Sequence, residues 1–367
     1  MAEQLNRRRF MGGLGAGAGL LWASPSFAQS LFGPRDGIVR LSANENPYGP
    51  SPKALNAINE AATRGAYYPG RAFRALTAMI AEANNLPVES VVITSGSSSV
   101  LRAAGVAFAQ HGAILLPGLT FDGPLRHAER LGRELRRIPL DASMGIDLPA
   151  MQNALKHDVG LVYVCNPNNP TGIALPPAEL RSFCRAVGKI APVLVDEAYN
   201  ELTDDPDASS MVDLVREGEP VIVTRTFSKI FGLAGLRIGY AMAPPELAAT
   251  IRKHTTSNSN ALGMAAALAS YDDEPFLTYS KDKVRQGREM VLDTFQRHEV
   301  PTLPSQANFV YADIGRDADR FQEAMMARGV SIRGIYNPYT TWSRVSMGRL
   351  EDLEVFSRVF SETYSAG

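Results

Sequence analysis

Val193-Leu194-Val195-Asp196-Glu197-Ala198-Tyr199 is a short apolar run that ends on an acid. Residues 192–195 are apolar at every position instead of alternating, the pattern of a strand covered on both faces. The same pattern returns at residues 91–94, 113–116, 159–164, 221–224 and 238–242. Helix-period stretches lie between these runs. One puts Leu180, Phe183, Cys184 and Val187 on a single face behind Pro176 and Pro177, and the first turn is where a helix tolerates proline. Another puts Val100, Leu101, Ala104 and Phe108 on one face behind a serine-rich start. Strands alternating with helices predict an α/β fold, with a mostly parallel sheet sandwiched by helices.

The C-terminal third reads differently. Residues 308–313, 330–333 and 344–347 look like short strands, with helical patterns at 321–328 and 350–360. This predicts a second, smaller α+β domain. Residues 33–52 are rich in Pro, Gly and Asn and predict an ordered arm or loop rather than a core element. The expected division is 29–65 for the arm and part of the small domain, 66–255 for the large domain and 256–367 for the small one.

The chain has 367 residues, and 37 Lys and Arg against 38 Asp and Glu give a net charge of −1. That balance leaves no basic footprint for nucleic acid and no acidic tail. With 45% hydrophobic and 20% charged residues, the composition excludes a mainly disordered chain. Cys165 and Cys184 are too few for a disulfide scaffold or a Cys-only zinc site, and spacing alone does not decide whether they pair. The five histidines show no ligand spacing, so no metal is expected.

The first residues read as an address. Arg7-Arg8-Arg9-Phe10 is followed by a short, glycine-rich apolar run and then by Ser26-Phe27-Ala28. A basic region, a short apolar region and a small-x-small site make a secretory signal. The Arg-Arg-x-Phe order suggests the twin-arginine type, with cleavage after Ala28 and a periplasmic or exported location. The apolar run is too short to span a membrane. Removal of residues 1–28 would leave a net charge of −3.

Four segments carry chemistry. Thr226-Phe227-Ser228-Lys229 follows an apolar strand, with Arg237 eight residues beyond the lysine. A lysine at a buried strand end is partly desolvated, so its amine should lose its proton more easily, which suits a Schiff-base lysine. The hydroxyls of Thr226 and Ser228 and the Arg237 cation suit a phosphate. The same letters would fit a surface turn with a structural arginine. Asp196 ends its strand at the sheet edge where open α/β folds bind ligands, and a buried carboxylate there needs a cationic partner. Capping the next element is its blander role. Cys165-Asn166-Pro167-Asn168-Asn169-Pro170-Thr171-Gly172 is a stiff loop presenting asparagines, or a simple turn. Thr94-Ser95-Gly96-Ser97-Ser98-Ser99 joins a strand to a helix start, which is an anion site and equally a serine cap. Trp342, two residues before Arg344, fits either packing or a place at the substrate mouth.

These segments, with Leu41-Ser42-Ala43-Asn44-Glu45-Asn46-Pro47-Tyr48-Gly49-Pro50 and Tyr67-Tyr68-Pro69, resemble the fold type I pyridoxal-phosphate aminotransferases of class I/II. The order is most similar to the histidinol-phosphate aminotransferase branch. The resemblance implies pyridoxal 5'-phosphate as cofactor, a small-molecule amino donor and a 2-oxo acid acceptor. It implies Lys229 as the Schiff-base lysine and proton shuttle, and Asp196 as partner of the ring nitrogen. Asn169 and Tyr199 would hold the ring oxygen, and Phe121 would stack on the ring. Ser97, Ser98, Thr226, Ser228 and Arg237 would take the phosphate. Tyr68 would reach the site of a neighbouring subunit in a homodimer. Arg344 would grip the substrate carboxylate, with Arg333 and Asn46 as further substrate-binding candidates.

Three departures bear on substrate. Phe121 stands where the branch usually has tyrosine, three serines follow Gly96 where a small residue and two acids are usual, and Arg349 follows Gly348. With the export signal, they argue against the phosphorylated histidine-pathway substrate. A phosphorylated amino acid decarboxylase on the same scaffold is the alternative reading.

Overall fold

The computed structural model describes residues 31–110, 112–255 and 260–366. The export signal read at residues 1–28 lies outside them. β1 (Val39–Arg40) opens the described chain. The central sheet follows with β2 (Val91–Thr94), β3 (Ala113–Pro117), β4 (Leu135–Ile138), β5 (Val159–Cys165), β6 (Val193–Asp196), β7 (Val221–Thr226) and β8 (Gly239–Met242). Its order is β2-β8-β7-β6-β5-β3-β4. β4, β3, β5, β6 and β7 pair in parallel, and β8 runs against both of its neighbours. The C-terminal ends of the other six strands and the N-terminal end of β8 therefore share one edge.

The sheet is covered on both faces. Val162, Val164, Val193, Val195, Val221 and Val223 join one core. Leu161, Tyr163, Leu194, Ile222 and Ala241 point the other way, under Val100, Leu101 and Ala104 of the Ser97–Phe108 helix. Apolar residues at every position are thus a two-faced strand with period 2 intact. β4 is the strand that the hydrophobic reading misses. It is an edge strand bearing Arg136 and Arg137, with only Leu135 and Ile138 packed, one on each core.

The C-terminal third holds β9 (Phe309–Asp313), β10 (Val330–Ser331) and β11 (Trp342–Ser346). β11 pairs antiparallel with β9, and β10 pairs in parallel with β1. The arm therefore departs from its reading as a loop outside the core. Val39 and Arg40 form a strand, and Leu41 is fully buried with Phe309, Phe321 and Phe356. Its prolines and asparagines hide this role because the partner strand lies almost 300 residues away. The Glu274–Arg297 helix, 24 residues long, matches no element of the sequence reading, since its polar residues dilute the helical period.

No helix among the described residues is long and apolar enough to cross a membrane.

Candidate active site

Strand ends at the shared edge deliver residues to one cleft of about 840 Å³. Ser97 and Ser98 arrive after β2, Phe121 after β3, and Asn169 after β5. Asp196 ends β6, Thr226 ends β7, and Ser228 and Lys229 follow it. Arg237 precedes β8. Arg344 and Arg333 close the cleft from the C-terminal third, and Ser42 to Glu45 close it from the arm.

The turn after β7 explains why Lys229 faces inward. Phe227 is fully buried against the rings of Phe231, Tyr240 and Tyr271. Leu233 N–H donates to the Phe227 carbonyl and Gly232 N–H to that of Lys229. The anchored phenylalanine thus sets the turn that brings Lys229 into the cleft, where it is half-buried. Burial, with Arg344 nearby, pulls its amine down to about 8, against the opposing pull of Glu45 and Asp196. A share of neutral amine at neutral pH suits a nucleophile.

Asp196 stands opposite Cys165 in the β5–β6 register and is buried. Burial pushes its carboxyl up to about 7, opposed by the Tyr163 hydroxyl, the Ala198 N–H and Lys229. The Tyr163 hydroxyl lies 3.3 Å from Asp196 Oδ2 and 2.8 Å from the Phe121 carbonyl. Asp196 Oδ1 has no hydrogen-bond partner. A buried carboxylate oxygen left bare is costly unless a donor arrives, and a protonated ring nitrogen is such a donor. Glu197 turns to the opposite face, where it accepts from Arg225, Ser210 and the Met211 N–H.

Tyr199 is buried, and burial pushes its phenol up. Its oxygen accepts from Asn44 Nδ2 at 3.0 Å and from Asn169 Nδ2 at 3.3 Å. Two incoming donors fill its acceptor capacity and leave its own proton for the cleft. Asn169 also receives Arg344 Nη1 at 2.6 Å, and Arg344 Nη2 donates to the Ser42 carbonyl at 2.8 Å. Arg344 Nε is buried without a partner, so part of its fork is free for a carboxylate.

The start of the Ser97–Phe108 helix, Thr226, Ser228 and Arg237 come together at one end of the cleft. Thr226 Oγ1 donates to Ser228 Oγ, and Arg237 Nη1 reaches Ser228 Oγ at 3.3 Å. Gly96 has φ +75°, and a Cβ there would collide with the Arg237 guanidinium. A helix N-terminus, two hydroxyls and a guanidinium match a phosphate. With the bare Asp196 oxygen and the buried Lys229 amine, the residues fit pyridoxal phosphate.

One expected residue lies elsewhere. Asn46 does not line the cleft: its Nδ2 donates to the Ile230 carbonyl and to Ser280, and its Oδ1 accepts from the Tyr48 N–H. It ties the arm to the lysine loop, where Gly49 and Gly232 are so close that a Cβ on Gly49 would lie 2.7 Å from Gly232 Cα. Tyr68 is 95% exposed and away from this chain's cleft. Phe121 lines the cleft and is 38% exposed. Trp342 packs on Tyr311 instead of the cleft. Cys165 lines the cleft with Sγ 3.3 Å from the Pro167 carbonyl, and both cysteines are free.

The sequence reading gave Asn44, Tyr163, Arg126, Arg137 and Tyr336 no role. Four line the cleft, and Tyr163 lies beneath it against Asp196. Asn44 stood in a quoted motif; the others carried no local signal. Among the described residues, no group of three or more His, Cys, Asp or Glu is placed to hold a metal.

The model of the aminotransferase class I and II family matches residues 36–360. This chain belongs to that family. Among its relatives, the histidinol-phosphate aminotransferase of Symbiobacterium thermophilum is 37% identical over 298 residues, covering 81% of this aminotransferase and 82% of the relative. The solved histidinol-phosphate aminotransferase of Sinorhizobium meliloti, in complex with pyridoxal-5'-phosphate, is 27% identical with a TM-score of 0.80, covering 94% and 95% of the two chains. L-threonine-O-3-phosphate decarboxylase from Porphyromonas gingivalis shares the fold at a TM-score of 0.75 and 18% identity, covering 89% of this aminotransferase and 99% of that chain. That likeness shows the fold alone; the family match and the aminotransferase relatives favour transamination over the decarboxylase alternative.

Proposed function

We propose that this pyridoxal-phosphate-dependent aminotransferase moves an amino group between an amino acid and a 2-oxo acid, with Lys229 as its Schiff-base lysine. The observation that carries the reading is one cleft lined by Lys229, Asp196 and Arg344, in which Asp196 Oδ1 and Arg344 Nε are buried without a hydrogen-bond partner. The cofactor, when bound, supplies an electron sink for the bond at the substrate Cα. Asp196 would pair with the ring nitrogen, and Tyr199, which accepts from Asn169 Nδ2, would donate to the ring oxygen. Ser97, Ser98, Thr226, Ser228 and Arg237 would hold the phosphate, and Phe121 would contact the ring. Arg344 would orient the donor through its carboxylate, and the Lys229 amine would move the proton at the substrate Cα.

Histidinol phosphate is the second reading for the donor. It is favoured by the names of the relatives and by Arg333, which lines the cleft with its guanidinium 5.5 Å from the Tyr336 ring centroid. We further propose a homodimer in which the exposed Tyr68 reaches the partner's site, and export of the folded, loaded enzyme by the twin-arginine route.

The test is an absorbance titration of the purified protein with a panel of amino acids and histidinol phosphate. Conversion of the bound cofactor to its amine form, reversed by a 2-oxo acid, is the expected result. Carbon dioxide release without conversion would sink the reading.

A further inference from the structure

We propose that Asn44 is a positioning residue that sets the Lys229 amine and the Tyr199 phenol relative to each other. This rests on the roles of Lys229 and Tyr199 given above. Asn44 is buried, and all its polar groups are engaged at the site. Its carbonyl accepts from Lys229 Nζ at 3.1 Å, and its Nδ2 donates to the Tyr199 oxygen at 3.0 Å. Its Oδ1 accepts from Ser346 Oγ at 2.6 Å, and its N–H donates back to the same oxygen at 3.0 Å. Ser346 ends the strand that carries Arg344. One residue thus joins the lysine, the phenol and the carboxylate-binding strand.

The backbone of Asn44 is left-handed, with φ +54°. Asparagine is among the few residues other than glycine that enter this region readily. Here the conformation sends the carbonyl to Lys229 while the side chain reaches Tyr199.

Two consequences follow for the chemistry. A neutral lysine amine that donates one hydrogen to the Asn44 carbonyl has its lone pair turned away from that carbonyl. The lysine is therefore held in one orientation between proton transfers. Meanwhile the carboxamide donates to Tyr199, which polarises the phenol and strengthens its own donation into the cleft.

The test compares Asn44→Gly, Asn44→Asp and Ser346→Ala in the cofactor-loaded protein. Glycine keeps the left-handed backbone and the carbonyl but deletes the carboxamide. Aspartate keeps the shape and the bond from Ser346 but accepts from Tyr199 instead of donating. The first readout is the pH midpoint of the bound cofactor's absorbance change, which needs no turnover. The midpoint should move by about one pH unit in Asn44→Asp and by less in Asn44→Gly. The second readout is kcat, which should fall roughly 10- to 100-fold while the donor KM changes less than about threefold. Ser346→Ala should move both readouts in the same direction, by smaller amounts.

A lowered melting temperature with an unmoved midpoint in both Asn44 variants would overturn the proposal and leave Asn44 as packing. Wild-type kcat in Asn44→Asp would overturn it as well. Failure of the parent to convert with any amino donor would instead count against the aminotransferase reading, and the midpoint comparison would still decide the role of Asn44.

Discussion

One wall of the cleft is the edge of the central sheet, and the other is made by the arm and the C-terminal third. On the sheet wall, Ser97, Asn169, Asp196, Ser228 and Lys229 each lie within four residues of the end of a strand. Their positions follow once the strands are in register. On the opposite wall, Asn44 bonds Ser346 across 302 positions, Arg344 bonds Asn169 across 175, and Lys229 bonds Asn44 across 185. Local sequence can therefore specify the first wall, whereas the second exists only when the chain closes on itself. In the proposed function the first wall would hold the cofactor and the second the substrate, a division that lets specificity vary on a constant cofactor site.

The comparison breaks most clearly at Lys229. Lys229→Ala should lower amino transfer by a factor on the order of 10⁴ or more while the fold is kept. Single-turnover absorbance with the best donor would show this. Activity within tenfold of the parent would mean that the sheet wall is not the reacting one.

Asp196→Asn should lower kcat by roughly 10²- to 10³-fold. Its second signature is in stability. In the cofactor-free protein Asp196 keeps its proton until about pH 7, whereas an unfolded aspartate loses it near pH 4. Between those values the folded state binds more protons, so stability falls as pH rises. Asp196→Asn should remove that slope, and the gap between the two proteins should grow to roughly 4 kcal/mol by neutral pH. Urea melts from pH 4.5 to 7.5 check this, and parallel curves would refute it.

Arg344→Lys tests the second wall. Lysine keeps the charge but loses the planar fork. The donor KM should rise roughly 10- to 100-fold, with a smaller change in cofactor affinity, both read from donor and cofactor titrations. An equal loss of both would show that the walls do not divide the work in this way.

The smallest effect sharpens the contrast within the arm. Asn46→Ala removes bonds to Ile230 and Ser280 outside the cleft. It should cost about 1–2 kcal/mol of stability and leave both the donor KM and kcat within about twofold, whereas the Asn44 variants lose kcat. A raised KM would return Asn46 to the substrate site.

Much of the sheet wall was legible because strand, turn and polar residue are contiguous. Asp196 closes an apolar run, and Lys229 follows one with Arg237 nearby. The second wall was legible only through resemblance, and unevenly. Arg344 took its place from the motif order. Asn44 and Asn46 are two residues apart in one motif, and nothing local distinguishes the one that meets the lysine from the one that braces its loop. The left-handed backbone at Asn44 makes that distinction.

By itself the sequence determined the sandwiched sheet, its ligand-binding edge and the residues that arrive there, because hydrophobic period and strand ends are short-range properties. Only the tertiary structure decided that the arm enters the core, that Asn46 faces away from the cleft and that Asn44 faces into it. It also decided that one oxygen of Asp196 and one nitrogen of Arg344 are left bare. Those outcomes depend on which buried polar atoms find partners across hundreds of residues, and a buried group's satisfaction is a property of the packed chain rather than of its neighbours in sequence.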